Sequence, residues 1–396
     1  VFPQWRMTLT LFLGDIQEFL DRVDARVDAW FLDGFAPDRN PDMWSASHFG
    51  KMADLSKPFA SFATFTAAGH VKRGLQAAGF AVEKVAGYGR KREMLTGRLD
   101  EIPPATPTIF PWLHRPATSH GDECAVVIGA GVAGASIAAR LALRGWKITI
   151  LDSGDDIATG GSGNPAAIMY PKLGPADQID NEFAQQSWLF MLAWLKSGKM
   201  PAGMWNPCGV LQLLTTHQQR NFSSVSDHPW LNELVYLQDA DAASTTAGIK
   251  IDKDALWYPD AGWLDAKAYC RHLLNHSRIR VLTNTHVARL EQTPHGWDVF
   301  DPKGQLIAAC PIVIAANGRY GADWEQTNFL PLVPVPGQIS TVPPSMLSAR
   351  LNTVICHDGY ISPGLPNGQH CMGATFHPGV ETIGETAEDH QANHLL

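Results

Sequence analysis

The segment Gly129-Ala130-Gly131-Val132-Ala133-Gly134 restricts the fold more than any other stretch of this 396-residue chain. It follows an apolar run at 124–128 and opens a small-residue run at 135–144 that Gly145 ends. A second apolar run, 147–151, comes next and is closed by Asp152. Strand, glycine turn, helix and acid-ended strand make a complete βαβ unit of the kind that binds a dinucleotide. Gly129 permits the tight turn, Gly131 lets the backbone approach a pyrophosphate, and Gly134 lets helix and strand pack closely. The helix N-terminus offers free N–H groups and a positive dipole to the phosphates. Asp152 is placed to accept hydrogen bonds from ribose hydroxyls. The hexapeptide alone is compatible with NAD, with FAD, or with a turn that holds no ligand.

The length suggests two or three domains at roughly 100–200 residues each. An apolar share of 45% against 18% charged residues is enough to bury a core and excludes a disordered chain. A net charge of −8 excludes a histone-like coat for nucleic acid but leaves room for an RNA enzyme with a local basic patch. Six cysteines without a C-x-x-C pair and fifteen histidines without H-E-x-x-H give no disulfide scaffold and no metal site. The longest apolar stretch, 125–143, is interrupted by Arg140, and the first residues carry no signal peptide. A cytoplasmic protein without a membrane span is expected, and a start at Val1 rather than Met points to a fragment.

Before the glycine turn, strands alternate with helices. Strands are expected at 8–13, 28–32 and 60–65, the last two buried, and helices at 16–23, 48–53 and 71–78, with Gly79 as the stop. An antiparallel pair at 80–85 and 93–99 closes the segment. This pattern implies a doubly wound sheet. Five prolines between 101 and 122 then imply an extended linker. The expected division is therefore 1–100, linker 101–122, and 123–396. The last part adds an aromatic-rich helix at 187–196 and a buried strand at 312–315.

Asp33 ends the 28–32 strand, where ligands sit in open α/β sheets. The loop Asn40-Pro41-Asp42-Met43-Trp44 follows with an aromatic. This suits methyl transfer to an amine. Only the free amine has a lone pair, and a carboxylate beside it accepts the N–H proton. Phe35 or Trp44 can stack a splayed-out base. Equally, Asp33 caps a turn and Trp44 fills core.

Residues 126–152 resemble the FAD flavoproteins of the D-amino-acid-oxidase and glycine-oxidase type, whose longer pattern is met by Ala138, Leu141 and Gly145. Gly160-Gly161-Ser162-Gly163-Asn164 resembles their small-residue loop under the flavin, and 312–318, ending in Gly318, their second FAD-facing strand. Pro336-Gly337-Gln338 and Asp358-Gly359-Tyr360-Ile361 are similar to later segments near the isoalloxazine. Ala167 stands where those proteins carry a glycine, which narrows the approach to the flavin. The resemblance implies FAD held at Gly129, Gly131, Gly134, Asp152, Ser162, Gly163, Asn164, Gly318 and Gly337, with Tyr360 a candidate to fix a substrate carboxylate.

Residues 28–37, 40–44 and 89–95 together resemble the bifunctional tRNA 5-methylaminomethyl-2-thiouridine biosynthesis family, which joins an S-adenosylmethionine-dependent methyltransferase to an FAD-dependent oxidoreductase. The fold implied is α/β: a partial class I, Rossmann-like methyltransferase sheet, then an FAD-binding Rossmann-type domain with a mixed α+β substrate subdomain. The activity implied is removal of the carboxymethyl group from 5-carboxymethylaminomethyl-2-thiouridine at the tRNA wobble position, then methylation of the freed amine. Asp33 is the implied catalytic carboxylate, Asp15 faces the adenine of S-adenosylmethionine, and Trp44, Arg90, Lys91 and Arg92, with Lys72 and Arg73 nearby, contact tRNA or form a solvated face. The family's glycine-rich S-adenosylmethionine loop and final flavin-covering segment have no counterpart, so truncation at both ends and a methyltransferase half that binds no S-adenosylmethionine are expected. Two other readings are a stand-alone FAD-dependent amino-acid or amine oxidase with an inert partner domain, and a non-catalytic RNA-binding scaffold.

Overall fold

The structure, a computed structural model, describes residues 7, 9–12, 14–23, 25–89, 91–100, 123–171, 179–214, 233–380 and 384–395. The chain divides into two compact units, Val1–His120 and Gly121–Leu396. The proline-rich segment 101–122 lies outside the described residues.

The first unit runs α1 (Ile16–Arg22), β1 (Val27–Leu32), α2 (Ala46–Leu55), β2 (Ser56–Thr64), α3 (Gly69–Ala77), β3 (Phe80–Ala86) and β4 (Glu93–Leu99). Its sheet has the order β1-β2-β4-β3. β1 and β2 are parallel, and β4 is antiparallel to both neighbours. Alternation along β2 turns Ala60, Phe62 and Thr64 inward and Ser61 outward. On α3, Val71 and Leu75 stand four apart on the buried stripe. They meet Phe49, Met52, Phe62, Phe80, Leu95 and Leu99 in one core. Gly79, at φ +94°, ends α3 in the left-handed region where a Cβ is disfavoured.

Three expectations are corrected here. Of the strand expected at 8–13, residues 9–12 are described and carry no regular structure, with Leu9 and Leu11 exposed. Apolar alternation makes a strand only where a ladder partner exists, and the described sheet offers none. β1 is not a buried strand, since its residues alternate and Phe31 is 84% exposed. Among the described residues α2 and α3 join the core, and the β3–β4 pair closes the parallel β1–β2 part of the sheet in antiparallel fashion, as the sequence pattern implies. Trp44 is a core residue, not a base-stacking platform. The short turn Pro41–Trp44 points it inward to 6% exposure, Nε1 donates to the Phe35 carbonyl at 2.9 Å, and its ring meets Phe65 edge-on at 6.2 Å.

In the second unit, β5 (Cys124–Ile128), α4 (Val132–Ala142) and β6 (Lys147–Leu151) form the βαβ unit. β5 and β6 are the centre of a parallel four-stranded sheet completed by Ile279–Leu282 beside β6 and Val313–Ala315 beside β5. Ala125 and Val127 face α4 and the helix Ala266–Leu274, while Val126 and Ile128 face the antiparallel sheet of Arg289–Thr293, Gly296–Phe300 and Leu306–Cys310. Burial on both faces explains the unbroken apolar sequence of β5. The strand at 313–315 lies at the sheet edge and is half-exposed, not buried. A seven-stranded mixed sheet and a three-stranded sheet (Ala167–Met169, Gly262–Leu264, Trp205–Asn206) complete the unit. In the larger sheet, Val210–Leu213, Val354–Cys356, Tyr360–Ile361 and His370–Gly373 are successive neighbours. All six cysteines are free. Among the described residues no helix is long and apolar enough to cross a membrane.

The assignment of Trp44 to the core has a measurable consequence. Trp44→Ala is expected to lower the stability of the first unit by about 3–5 kcal/mol in urea titration. Phe31→Ser, on the open face, is expected to change it by less than about 0.5 kcal/mol.

Candidate active site

The glycine turn is built by close backbone approach. Gly129 has φ +107°, and a Cβ there would lie 2.3 Å from the Ala316 carbonyl oxygen of the neighbouring edge segment. A Cβ on Gly134 would lie 1.9 Å from the carbonyl oxygen of Gly129, so no other residue lets α4 sit this close to β5. Gly131 is the N-cap of α4, and a Cβ there would meet Ser162 Oγ at 2.9 Å. Ser162 Oγ accepts a hydrogen bond from the Val132 N–H at 3.0 Å, which brings the small-residue loop onto the first turn of α4.

Asp152 closes the other side. One carboxylate oxygen accepts from the Ala130 N–H at 2.6 Å and the other from the Gly154 N–H at 2.8 Å. The sequence assigned Asp152 to the ribose; the structure gives it the further task of clamping the glycine turn. Each oxygen keeps a second lone pair for a ribose hydroxyl. A glycine cradle at a helix N-terminus beside a carboxylate fits the pyrophosphate and ribose of FAD.

The loop continues through Gly161–Gly163 to Asn164, where a Cβ on Gly163 would meet the Ala158 carbonyl at 2.8 Å. Asn164 Oδ1 accepts from the Ala166 N–H at 2.9 Å, and Nδ2 donates to Tyr360 Oη at 3.0 Å. That oxygen also lies 3.4 Å from Cys371 Sγ. Burial, and then Cys371 beside it, pushes the Tyr360 phenol up, and burial also pushes the Cys371 thiol up. Both therefore stay protonated at neutral pH. Tyr360, offered by the sequence as a carboxylate anchor, has its hydroxyl engaged by Asn164 and Cys371. Cys371 carried no sequence signal: its place depends on the pairing of Tyr360–Ile361 with His370–Gly373.

Behind this cluster, Tyr170 stands edge-on to Tyr258 at 5.4 Å, Tyr258 Oη donates to Gln212 Oε1 at 3.1 Å, and burial pushes Tyr170 up to about 12. Gly318 has φ +58° and opens the turn Gly318–Ala322. Gly337 lies against the 375–379 segment: a Cβ would meet the Thr375 carbonyl at 2.5 Å, where Thr375 N–H donates to Gln338 O and His377 N–H to Pro336 O. Ala167 begins a strand paired with Leu264.

In the first unit, Asp33 is exposed just past the carboxyl end of β1, two residues before exposed Phe35. Asp15 caps α1, its carboxylate accepting from the Gln17 N–H at 2.8 Å, which competes with the expected adenine contact. Lys91 holds its ammonium 5.3 Å over the Phe65 ring, and Arg92, Lys72 and Arg73 are at least partly open to solvent. Arg90 lies outside the described residues. Among the described residues of this unit, no strand-to-helix turn carries paired glycines like 129 and 131. Taken alone, the described residues of this unit supply only part of a site for S-adenosylmethionine. Among the described residues no group of three or more His, Cys, Asp or Glu side chains is arranged to hold a metal ion.

Gly131→Val is expected to purify without visible flavin absorbance while its circular dichroism stays that of the parent. The branched side chain meets Ser162 and fills the space a pyrophosphate needs. Stoichiometric flavin in the folded variant would place the cofactor elsewhere.

Comparison with known proteins agrees with this geometry. Residues 2–100 match a family model of S-adenosyl-L-methionine-dependent methyltransferases, and residues 125–396 match the model of FAD dependent oxidoreductases. The chain is 40% identical over 391 residues to the tRNA 5-methylaminomethyl-2-thiouridine biosynthesis bifunctional protein of Chromobacterium violaceum, covering 98% of this chain and 59% of that one. It is 39% identical over 396 residues to the protein of the same name from Stutzerimonas stutzeri, covering 99% and 59%. The chain thus spans about three fifths of the length of these relatives. Among solved structures it is similar to glycine oxidase from Geobacillus kaustophilus, with TM-score 0.58, 21% identity, and coverage of 68% of this chain and 77% of the other. It is also similar to L-proline dehydrogenase from P. horikoshii, with TM-score 0.55, 18% identity, and coverage of 69% and 75%. At such identities these two show a shared fold. With the glycine cradle, the Asp152 clamp and a family model matched over residues 125–396, the chain belongs to the FAD dependent oxidoreductase family, with a segment matching S-adenosyl-L-methionine-dependent methyltransferases ahead of it.

Proposed function

We propose that the protein to which this chain belongs carries out both late steps of a tRNA wobble-uridine modification. It removes the carboxymethyl group from 5-carboxymethylaminomethyl-2-thiouridine and then methylates the freed amine. The observation that carries this reading is the order of the two matched segments, shared with bifunctional relatives at 40% identity over 98% of the chain. A cytoplasmic setting, where tRNA is modified, belongs to the same proposal.

FAD, when bound, supplies a two-electron acceptor. The substrate is a secondary amine, R–CH2–NH–CH2–COO⁻. Removing a hydride from the carboxymethyl carbon and a proton from nitrogen turns that C–N bond into C=N. Water adds to the carbon, the C–N bond breaks, and R–CH2–NH2 and glyoxylate leave. In this reading the turn between β5 and α4 holds the pyrophosphate and Asp152 the ribose. Ser162, Gly163 and Asn164 line the flavin, and Gly318 and Gly337 bring backbone close to it. Asn164 fixes the Tyr360 hydroxyl, which stays protonated and so is a hydrogen-bond donor rather than a base.

For the methylation half, Asp33 at the open end of β1 accepts the proton of the attacking amine, and exposed Phe35 is the aromatic able to stack the base in place of buried Trp44. Lys91 and Arg92, with Arg90, contact RNA, and Asp15 lies toward the methyl donor's adenine. A stand-alone amine oxidase would turn over free glycine or N-methylglycine without tRNA, and would not need the first unit.

Asp33→Asn in the full-length protein is expected to slow methylation by about 10²–10⁴-fold, the usual worth of a placed proton acceptor. Carboxymethyl removal should continue. Mass spectrometry of nucleosides from cells carrying only the variant should show the aminomethyl nucleoside accumulating. A normal level of the methylaminomethyl product would remove Asp33 from the chemistry.

A further inference from the structure

The residues assigned so far leave one surface of the second unit, where two cations lie on aromatic rings, without a task. The helix Ile179–Lys196 buries Trp188, Leu192 and Leu195. Its outer side keeps Phe183 and Phe190 at 73% and 64% exposure. Seven residues apart, these rings share one helix face. Arg140, from α4, lays its guanidinium over Trp194 at 4.3 Å and over Phe190 at 5.4 Å, and the Lys199 ammonium stands 5.6 Å from the Trp194 ring.

Among the described residues, neither Arg140 nor Lys199 has a carboxylate partner or an acceptor for its side-chain N–H groups. Nearby cations are different: Lys196 pairs with Asp260, and Lys267 and Arg271 pair with Asp156. A guanidinium stacked on a ring uses its face and leaves its five N–H donors along the edge. In a chain of net charge −8, this face holds two cations on aromatic faces beside open phenyl rings, with exposed Glu182 next to Phe183.

We infer that this face, Phe183, Phe190, Arg140 and Lys199, is an RNA-contact surface. The edge of Arg140 and the Lys199 ammonium meet phosphates, and the two phenyl rings stack unpaired bases. The argument is charge complementarity together with ring spacing: a polyanion with flat bases satisfies both the unpaired cations and the exposed rings. A lipid surface would require a continuous apolar face. Here Leu192 and Leu195 face the core, Ile137 of α4 is 38% exposed, and exposed Gln186 and Ser187 lie between the two rings, so the apolar surface is broken. The inference deepens the tRNA reading and rests on it.

The test uses the flavin-loaded protein and fluorescently labelled, unmodified tRNA, with anisotropy measured at several salt concentrations. Phe190→Ala and Lys199→Glu are each expected to weaken binding about tenfold, with flavin content and circular dichroism unchanged. Lys199→Glu is also expected to reduce the slope of log affinity against log salt by about 0.7, the worth of one lost single-strand phosphate contact. Lys303→Glu, in an exposed hairpin turn, is the charge control and is expected to bind like the parent. Equal affinity for parent and patch variants overturns the surface while leaving the tRNA reading intact. An equal loss in Lys303→Glu overturns it as a mere net-charge effect. Binding of the parent to phosphatidylserine vesicles, abolished by the same variants while tRNA binding is not, assigns the face to lipid and also overturns it. A parent that binds no tRNA overturns both the surface and the reading on which it rests.

Discussion

The second unit depends on the approach of backbone to backbone at the turn between β5 and α4. Gly129, Gly131 and Gly134 each stand where a Cβ would fall within 3 Å of another group, and two of those groups are main-chain carbonyls that cannot yield. The same removal of side chains that lets α4 pack on β5 exposes the amide groups of its first turn, so packing and phosphate recognition come from one constraint. Asp152 ties it down with two charge-assisted hydrogen bonds, each of a kind worth about 1.5–3 kcal/mol. A carboxylate that holds its own binding loop in shape does not have to reorganise when a ribose arrives.

A second tie joins distant parts of the chain. Asn164 bonds to Tyr360 across 196 residues, and so connects the loop beside α4 to the larger mixed sheet. Ser162 reaches from the same loop to the α4 N-terminus. A five-residue segment thus spans from the cofactor cradle to the sheet that carries Tyr360 and Cys371. Change at Asn164 would reach both sides, and its role is one of positioning as much as of contact.

Aromatic rings in this protein serve two purposes that exposure separates. Trp44 and Phe62 are interior residues of the first unit, and the Trp44 indole N–H is satisfied by the Phe35 carbonyl. Phe59, Phe65, Phe190 and Trp194 instead lie under the side chains of Arg98, Lys91, Arg140 and Lys199. A cation over a ring stays hydrated at its edge, so such pairs can live at a surface that meets a charged polymer without the desolvation cost of a buried ion pair.

Much of this was legible in the residues. The βαβ unit, its glycine roles and Asp152 follow from local spacing, because a tight turn, a helix start and a strand end are each short-range events. The β3–β4 hairpin and the Gly79 stop were legible for the same reason. What the chain could not declare by itself was anything that depends on a partner far along the sequence. Residues 9–12 have the pattern of a strand but no described neighbour to pair with. β1 reads as buried, yet the alternation of a sheet packed on one side leaves Phe31 in solvent. Trp44 reads as a loop aromatic until α2 and α3 close over it. Cys371 acquires its place beside Tyr360 only through strand register, and the cation–aromatic face arises where α4 meets a helix about forty residues further on. Local sequence determined which backbone shapes were possible. Tertiary pairing decided which side chains were left facing water, because exposure belongs to the assembled sheet and not to any one strand.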